Sequence, residues 1–286
     1  MFQQNRRYIF LWISIFVYVA TLPYAIIIFN YLESLLTLPV LKLIPVLVIG
    51  FIGFLYTSYC YQRNVSYHFL SFILPSVLLL IGVVVLEKNT IKYLHIPEYL
   101  FLTYLIYIAL PARTTDDKVR NVILSAICSC LFGLVDEVHH GIHPLRYFGW
   151  KDMLINSVGS CIGLLLINSL CVESNLVGSI RVMEVKLKQL YKISQWPVLG
   201  LAISMVIAGS SLFMLFQYVA AMGFMSSYPF ILNLLNVMCV IASAFMVKRL
   251  ALQSIDDKIV LILPITIMGV LHALIVLAFF MAIEFK

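Results

Sequence analysis

The stretch Asp136-Glu137-Val138-His139-His140-Gly141-Ile142-His143-Pro144-Leu145-Arg146 gathers acids, histidines and an arginine between two apolar runs, each long enough to cross a bilayer. Asp152 and Asn156 follow in the second run. Carboxylates and histidines are expensive near lipid, so such a cluster reads as a functional site. On a helix, Glu137 and His140 (i, i+3) and Asp136 and His140 (i, i+4) share one face. His95 and Glu98 are likewise spaced i, i+3 on an earlier run. Asp152, Asn156, Gly159 and Gly163 step by four, three and four, which draws one helical stripe with a polar end and a small-residue end; the glycines there admit a close helix neighbour.

Three chemistries suit these residue types. Histidine and carboxylate ligands from facing helices, here His95, Glu98, Asp136 and His140, would hold Zn²⁺, Mn²⁺ or Fe. A histidine beside a carboxylate is also a general acid–base pair or proton relay, which points to Glu98, Glu137 and His140 as catalytic candidates. A binding role falls to His95, Asp136, His139, Arg146, Asp152 and Asn156, with Arg146 able to clamp a phosphate or carboxylate bidentately. The plainer alternative is that the surface acids and histidines are solvated, and that Asp152 or Asn156 serves as helix glue or an N-cap. No Gly-x-Ser-x-Gly and no Gly-rich phosphate loop accompanies the cluster. No cofactor is specified.

The elements that must position these groups follow from composition. The chain has 286 residues, 63% hydrophobic and only 11% charged, whereas soluble domains carry about 25% charge. That pattern defines an all-α polytopic membrane bundle and excludes a soluble enzyme. The net charge of +6 is spread through short loops, which speaks for membrane topology and against nucleic-acid binding. The six cysteines lie in or beside apolar runs, so neither a disulfide framework nor a zinc ribbon is expected. Cys128 and Cys130 would diverge on a helix and read as packing.

A span needs about 20 apolar residues, which predicts about nine of them, roughly 8–30, 39–61, 68–87, 91–111, 119–138, 152–172, 197–220, 228–247 and 258–284. Residues 177–195 show apolar positions at helical spacing with Arg181, Lys186, Lys188 and Lys192 on other faces, the pattern of an interfacial amphipathic helix. The expected domains are 1–172 with six helices, a cytoplasmic linker 173–196, and a three-helix extension 197–286. Lys42, Lys88, Lys92, Arg146, Lys151 and Lys286 fall on one side of this topology. The other thirteen of the 19 basic residues fall on the N-terminal side, which is therefore cytoplasmic. In that frame His95, Glu98, the 136–146 cluster and Asp152 all collect at the outer face. His68 and His272 read as structural, and Asn233 and Asn236 as interhelical hydrogen-bond partners.

The run Asp136-Glu137-x-His139-His140, then Pro144-x-Arg146, then Asp152-x3-Asn156-x2-Gly159, resembles the signature of the VanZ-like membrane proteins. In that family the pattern reads Asp-Glu-x-His-Gln, a Pro-Gly-Arg turn and Asp-x3-Asn-x2-Gly. Lys92-x2-His95-x2-Glu98-Tyr99 resembles the family's preceding element, and Thr21-Leu22-Pro23-Tyr24 a leader of some members. His140 replaces the usual Gln and adds a titratable group, while Leu145 replaces a common Gly and stiffens the turn. The likeness covers roughly residues 1–170. It implies a multi-pass protein of the bacterial cytoplasmic membrane and a link to teicoplanin resistance, but no reaction. The expected partners are membrane lipids and a lipid-linked glycan or glycopeptide, with no nucleic acid. An intramembrane hydrolase or transferase is the alternative function. A transporter comes second, because no internal repeat or paired broken helices are seen.

Overall fold

The computed structural model describes residues 2–62, 73–86, 89–112, 114–142, 148–171, 184–185, 195–220, 230–252 and 259–280. Among them are ten α-helices and no strand. These are α1 (Phe2–Thr21), α2 (Ala25–Leu35), α3 (Leu38–Gln62), α4 (Leu74–Leu80), α5 (His95–Ala109), α6 (Thr115–Ile142), α7 (Trp150–Cys171), α8 (Gln195–Ala220), α9 (Phe230–Leu252) and α10 (Ile259–Phe280). A helix satisfies its own backbone polar groups, the condition a chain must meet where no water is available. Six helices (α3, α6, α7, α8, α9 and α10) are long and apolar enough to cross a bilayer. The chain is a multi-pass membrane protein.

The first apolar run departs from the single span expected over 8–30. It breaks after Thr21 into a 3₁₀ turn, Leu22–Tyr24, before α2 begins. Pro23 has no N–H to continue the α-helical ladder, and the turn closes instead through the Ala25 N–H to the Leu22 carbonyl. A second irregularity follows α4, where Ile81–Leu86 adopts π-helical bonding. There the Val83 carbonyl accepts a hydrogen bond from the Tyr93 hydroxyl at 3.1 Å. The amphipathic segment expected at 177–195 lies almost wholly outside the described residues.

The chain forms two compact units, Met1–Cys130 with Lys151–Val185, and Leu131–Trp150 with Lys186–Lys286. In the first unit, Tyr99, Leu102 and Ile106 of α5 are fully buried. Ile96, Ile155 and Ile162 form a core cluster with Leu79 and Val83 against it. In the second unit, Ile265, Met268, Leu271 and Ile275 of α10 and Leu215 of α8 are buried, while α9 exposes Ile231, Ile241 and Phe245. Aromatic and aliphatic side chains so exposed suit lipid, not water. Burial separates the spans: 72% of the apolar window of α6 is buried against 11% for α3, so among the described residues α6 is packed by protein while α3 presents its apolar side chains outward.

Two devices bring the first unit's helices together. Gly159 of α7 faces the α5 backbone so closely that a Cβ would stand 2.7 Å from the Ile96 carbonyl oxygen, and one on Gly163 would stand 2.9 Å from Thr103 Cβ. Between helices with no hydrophobic drive to associate, this close approach supplies the packing attraction. At the other end of α5, Asn121 Nδ2 donates to the Leu110 and Pro111 carbonyls at 3.3 and 3.0 Å. Arg120, buried, donates to the Pro111 carbonyl and to Asn121 Oδ1 and pairs with Asp117 at 3.1 Å. Carbonyls left over where α5 stops are thereby satisfied.

Candidate functional site

The last turns of α6 carry Asp136, Glu137 and His140, each at most 1% exposed. Helical spacing alone aligns them, and the imidazole sits between the two carboxylates. His140 Nε2 is 3.4 Å from Asp136 Oδ1, and Nδ1 is 3.1 Å from Glu137 Oε1. Glu137 Oε2 also accepts the Gly149 N–H at 3.2 Å. An imidazolium satisfies both carboxylates by donating from both nitrogens. A neutral ring donates from one nitrogen only, and its other lone pair then opposes a carboxylate unless a proton or cation stands between. The ligating atoms of the three residues lie within 4.8 Å of one another, compact enough for a single ion, and the donor set suits Zn²⁺, Mn²⁺ or Fe. The geometry thus favours proton exchange or cation capture. His139, next on the helix, is only partly buried. The histidines in the final turn also complement the negative end of the helix dipole.

The first unit holds the remaining described candidates. His95 Nδ1 and Glu98 Oε2 pair at 3.2 Å in the first turn of α5, and the Glu98 carbonyl receives the Tyr18 hydroxyl of α1 at 3.3 Å. Asp152, in the first turn of α7, is gripped through both oxygens by Lys92 Nζ at 2.9 and 2.8 Å. That bond ties the start of α7 to the 3₁₀ turn Thr90–Leu94 that leads into α5. One turn deeper, Asn156 is fully buried, and among the described residues neither its amide nitrogen nor its amide oxygen has a hydrogen-bond partner. Ser160 Oγ lies 2.9 Å from Ser129 Oγ of α6 and 2.9 Å from the Asn156 carbonyl, and Ser129 donates to the Tyr99 carbonyl at 3.3 Å.

A buried amide with two unmet bonds destabilises the fold by itself, and it offers a ligand both a donor and an acceptor. Replacing Asn156 with leucine is therefore expected to hold or raise stability, by up to about 2 kcal/mol, while weakening ligand binding. Thermal unfolding in detergent micelles checks the first arm; a loss of stability there would mean that the amide already serves the fold.

Arg146 and His143 lie outside the described residues. Of the rest, Asp136, Glu137 and His140 meet within the second unit, and within the first unit His95 pairs with Glu98 and Asp152 with Lys92. Among the described residues the compact ion-sized set is Asp136, Glu137 and His140. Lys92 is the partner that spacing could not supply, since it stands 60 residues from Asp152. Ser129 and Ser160 also escaped notice, because serines in apolar helices usually bond their own backbone.

Fold and site together define a multi-pass helical membrane protein with buried acid–histidine groups. Compared with known proteins, the chain matches no family model, no curated protein and no solved structure.

Proposed function

We propose that this is a VanZ-like protein of the bacterial cytoplasmic membrane that binds an amphiphilic envelope molecule, such as a lipid-linked glycan, and so shifts susceptibility to glycopeptides such as teicoplanin. The observation that carries the reading is a cleft of about 260 Å³ in the first unit, walled by Ile49, Gly53, Tyr56, Leu79, Pro97 and Leu100. Its lining is almost entirely apolar and suits an acyl or polyprenyl chain. Ile96 and Pro97, chain neighbours of His95 and Glu98, belong to that wall. An apolar slot with an acid–histidine pair in the same helical turn is the arrangement an amphiphile requires. The proposed topology has nine spans, with α1, the Leu74–Leu86 segment and α5 joining the six long helices, a cytoplasmic N-terminus and an outward-facing polar site.

Gly53 gives a direct test, because a Cβ there would meet none of the described residues within 4 Å while the residue lines the cleft. Gly53→Leu fills the slot without a backbone clash. Native mass spectra of the wild type released from mild detergent are expected to carry a lipid adduct, reduced at least about tenfold in the variant. Expressed in a teicoplanin-sensitive bacterium, only the wild type is expected to shift the inhibitory concentration. Equal lipid occupancy in both proteins would overturn the reading.

A second reading has its own observation. Asp136, Glu137 and His140, packed within 4.8 Å and sealed from solvent, make an acid–base or metal-assisted centre for a hydrolase or transferase acting on a lipid-linked substrate. In the same spectra, a transition metal lost in His140→Leu would favour it over a pure binding role.

A further inference from the structure

The second unit contains a polar chain that runs across three apolar helices. Ser204 Oγ of α8 lies 2.8 Å from His272 Nε2 of α10, and His272 Nδ1 lies 2.6 Å from Asn236 Oδ1 of α9. The Asn236 amide nitrogen donates to Ser211 Oγ at 2.8 Å and to the Leu232 carbonyl at 2.7 Å. All four side chains are buried.

The proton positions follow from the far end. The Leu232 carbonyl can only accept, so the amide nitrogen of Asn236 must face it and Oδ1 must face His272. Ser211 spends its proton on the Ile207 carbonyl, so its oxygen is free to accept from the same amide. With Oδ1 as acceptor, His272 Nδ1 carries the hydrogen and Nε2 presents a lone pair to Ser204. Ser210 and Ser211, on the same helix, donate back to the Val206 and Ile207 carbonyls. Ser204 Oγ instead lies within hydrogen-bond distance of the imidazole, and with the hydrogen on Nδ1 it donates to Nε2. A hydroxyl hydrogen-bonded to a base that a third group orients is the arrangement of an activated nucleophile.

Interhelical adhesion would explain these bonds but not the space beside them. Ser204 lines an apolar cavity of about 300 Å³ walled by Leu201, Ile203, Ile207, Leu235 and Met246, with Ser243 as the other hydroxyl on its wall. Gly200 keeps that wall thin, since a Cβ there would stand 2.5 Å from Met246 Cε. Ser204 therefore stands on the wall of a slot suited to a hydrocarbon chain.

We propose that Ser204, His272 and Asn236 form a serine acyl-hydrolase centre for long-chain acyl esters, separate from the acid–histidine groups. Ser204 Oγ attacks the ester carbonyl as its proton passes to His272 Nε2. The carbon–oxygen bond of the ester breaks, and the departing alkoxide takes that proton and leaves as the alcohol. Water then attacks the acyl-serine, gives a proton to Nε2, and releases the carboxylic acid while Ser204 regains its hydrogen. Asn236 is a positioning residue, holding Nδ1–H, and Ser243 is the wall donor available to the oxyanion.

The test exposes the full-length protein in mild detergent to a decyl fluorophosphonate, followed by peptide mapping. Attack by Ser204 expels fluoride and leaves a phosphonylated serine. We expect Ser204 to be labelled far ahead of Ser210, Ser210→Ala to leave the rate unchanged, and His272→Gln to lower it about 100-fold or more. A wild-type Ser204 labelled no faster than Ser210, or equally fast in a monodisperse His272→Gln protein, would overturn the proposal. Should His272→Gln not fold, the wild-type ratio of Ser204 to Ser210 labelling decides alone.

Discussion

Gly159→Ala is expected to destabilise the protein by about 2–3 kcal/mol, a large effect for a single methyl group. The added carbon would sit 2.7 Å from the Ile96 carbonyl oxygen, 3.1 Å from Ile96 Cα and 3.1 Å from Tyr99 Cβ. Two of these atoms are backbone, so no side-chain rotation relieves the contact and α5 must move from α7. Movement there would stretch the Ser129–Tyr99 bond and loosen the cluster around Ile155 and Ile162. Gly50→Ala is the matched control, since a Cβ there meets none of the described residues within 4 Å. It is expected to change little or to gain up to about 1 kcal/mol from helix propensity. Thermal unfolding of both variants in the same micelle measures the contrast, and equal midpoints would show that α5 and α7 do not rely on this contact.

His140→Leu should be the most damaging change on α6, at about 3–5 kcal/mol. It removes the imidazole that bridges two carboxylates at most 1% exposed, so each loses that charge-compensating neighbour. The informative companion is the triple variant Asp136→Leu, Glu137→Leu, His140→Leu. With no charge left to solvate, it is expected to recover wild-type stability or exceed it, because apolar replacements of buried ionic groups are often neutral or stabilising. It should nonetheless lack any metal binding, proton exchange or antibiotic phenotype that depends on the trio. A triple variant as unstable as the single one would mean that the three side chains brace the helix by shape and not through their charge.

What the sequence made legible was whatever lies within one helix. The α6 trio and the His95–Glu98 pair stand three or four positions apart, so helical geometry alone predicts their meeting, and the long apolar runs predict α3 and α6 to α10 within a few residues. The Gly159–Gly163 stripe announced a close neighbour without naming α5. Contacts between helices were hidden, because bonds such as Lys92–Asp152, Ser160–Ser129 and Ser204–His272 join residues far apart in the chain. His272 in particular read as a solitary structural histidine, since its partners sit on two other helices. The break at Thr21 was masked by unbroken hydrophobicity around Pro23, where a missing N–H outweighs the apolar pattern.

Arg120 works at two different moments in the life of the molecule. In the finished protein its guanidinium is enclosed, bound to Asp117, Asn121 and the Pro111 carbonyl, and contributes almost nothing to the charge that a membrane surface meets. In a nascent chain the packing that encloses it and the Pro111 carbonyl are not yet in place. While the helices are being inserted, the same residue is a bare cation, and in the proposed topology it belongs to the set that holds its loop on the cytoplasmic side. Folding then withdraws the signal by converting it into the clasp at the end of α5. In the proposed topology one side chain would thus serve first as an orientation cue and then as the tie that closes the end of α5.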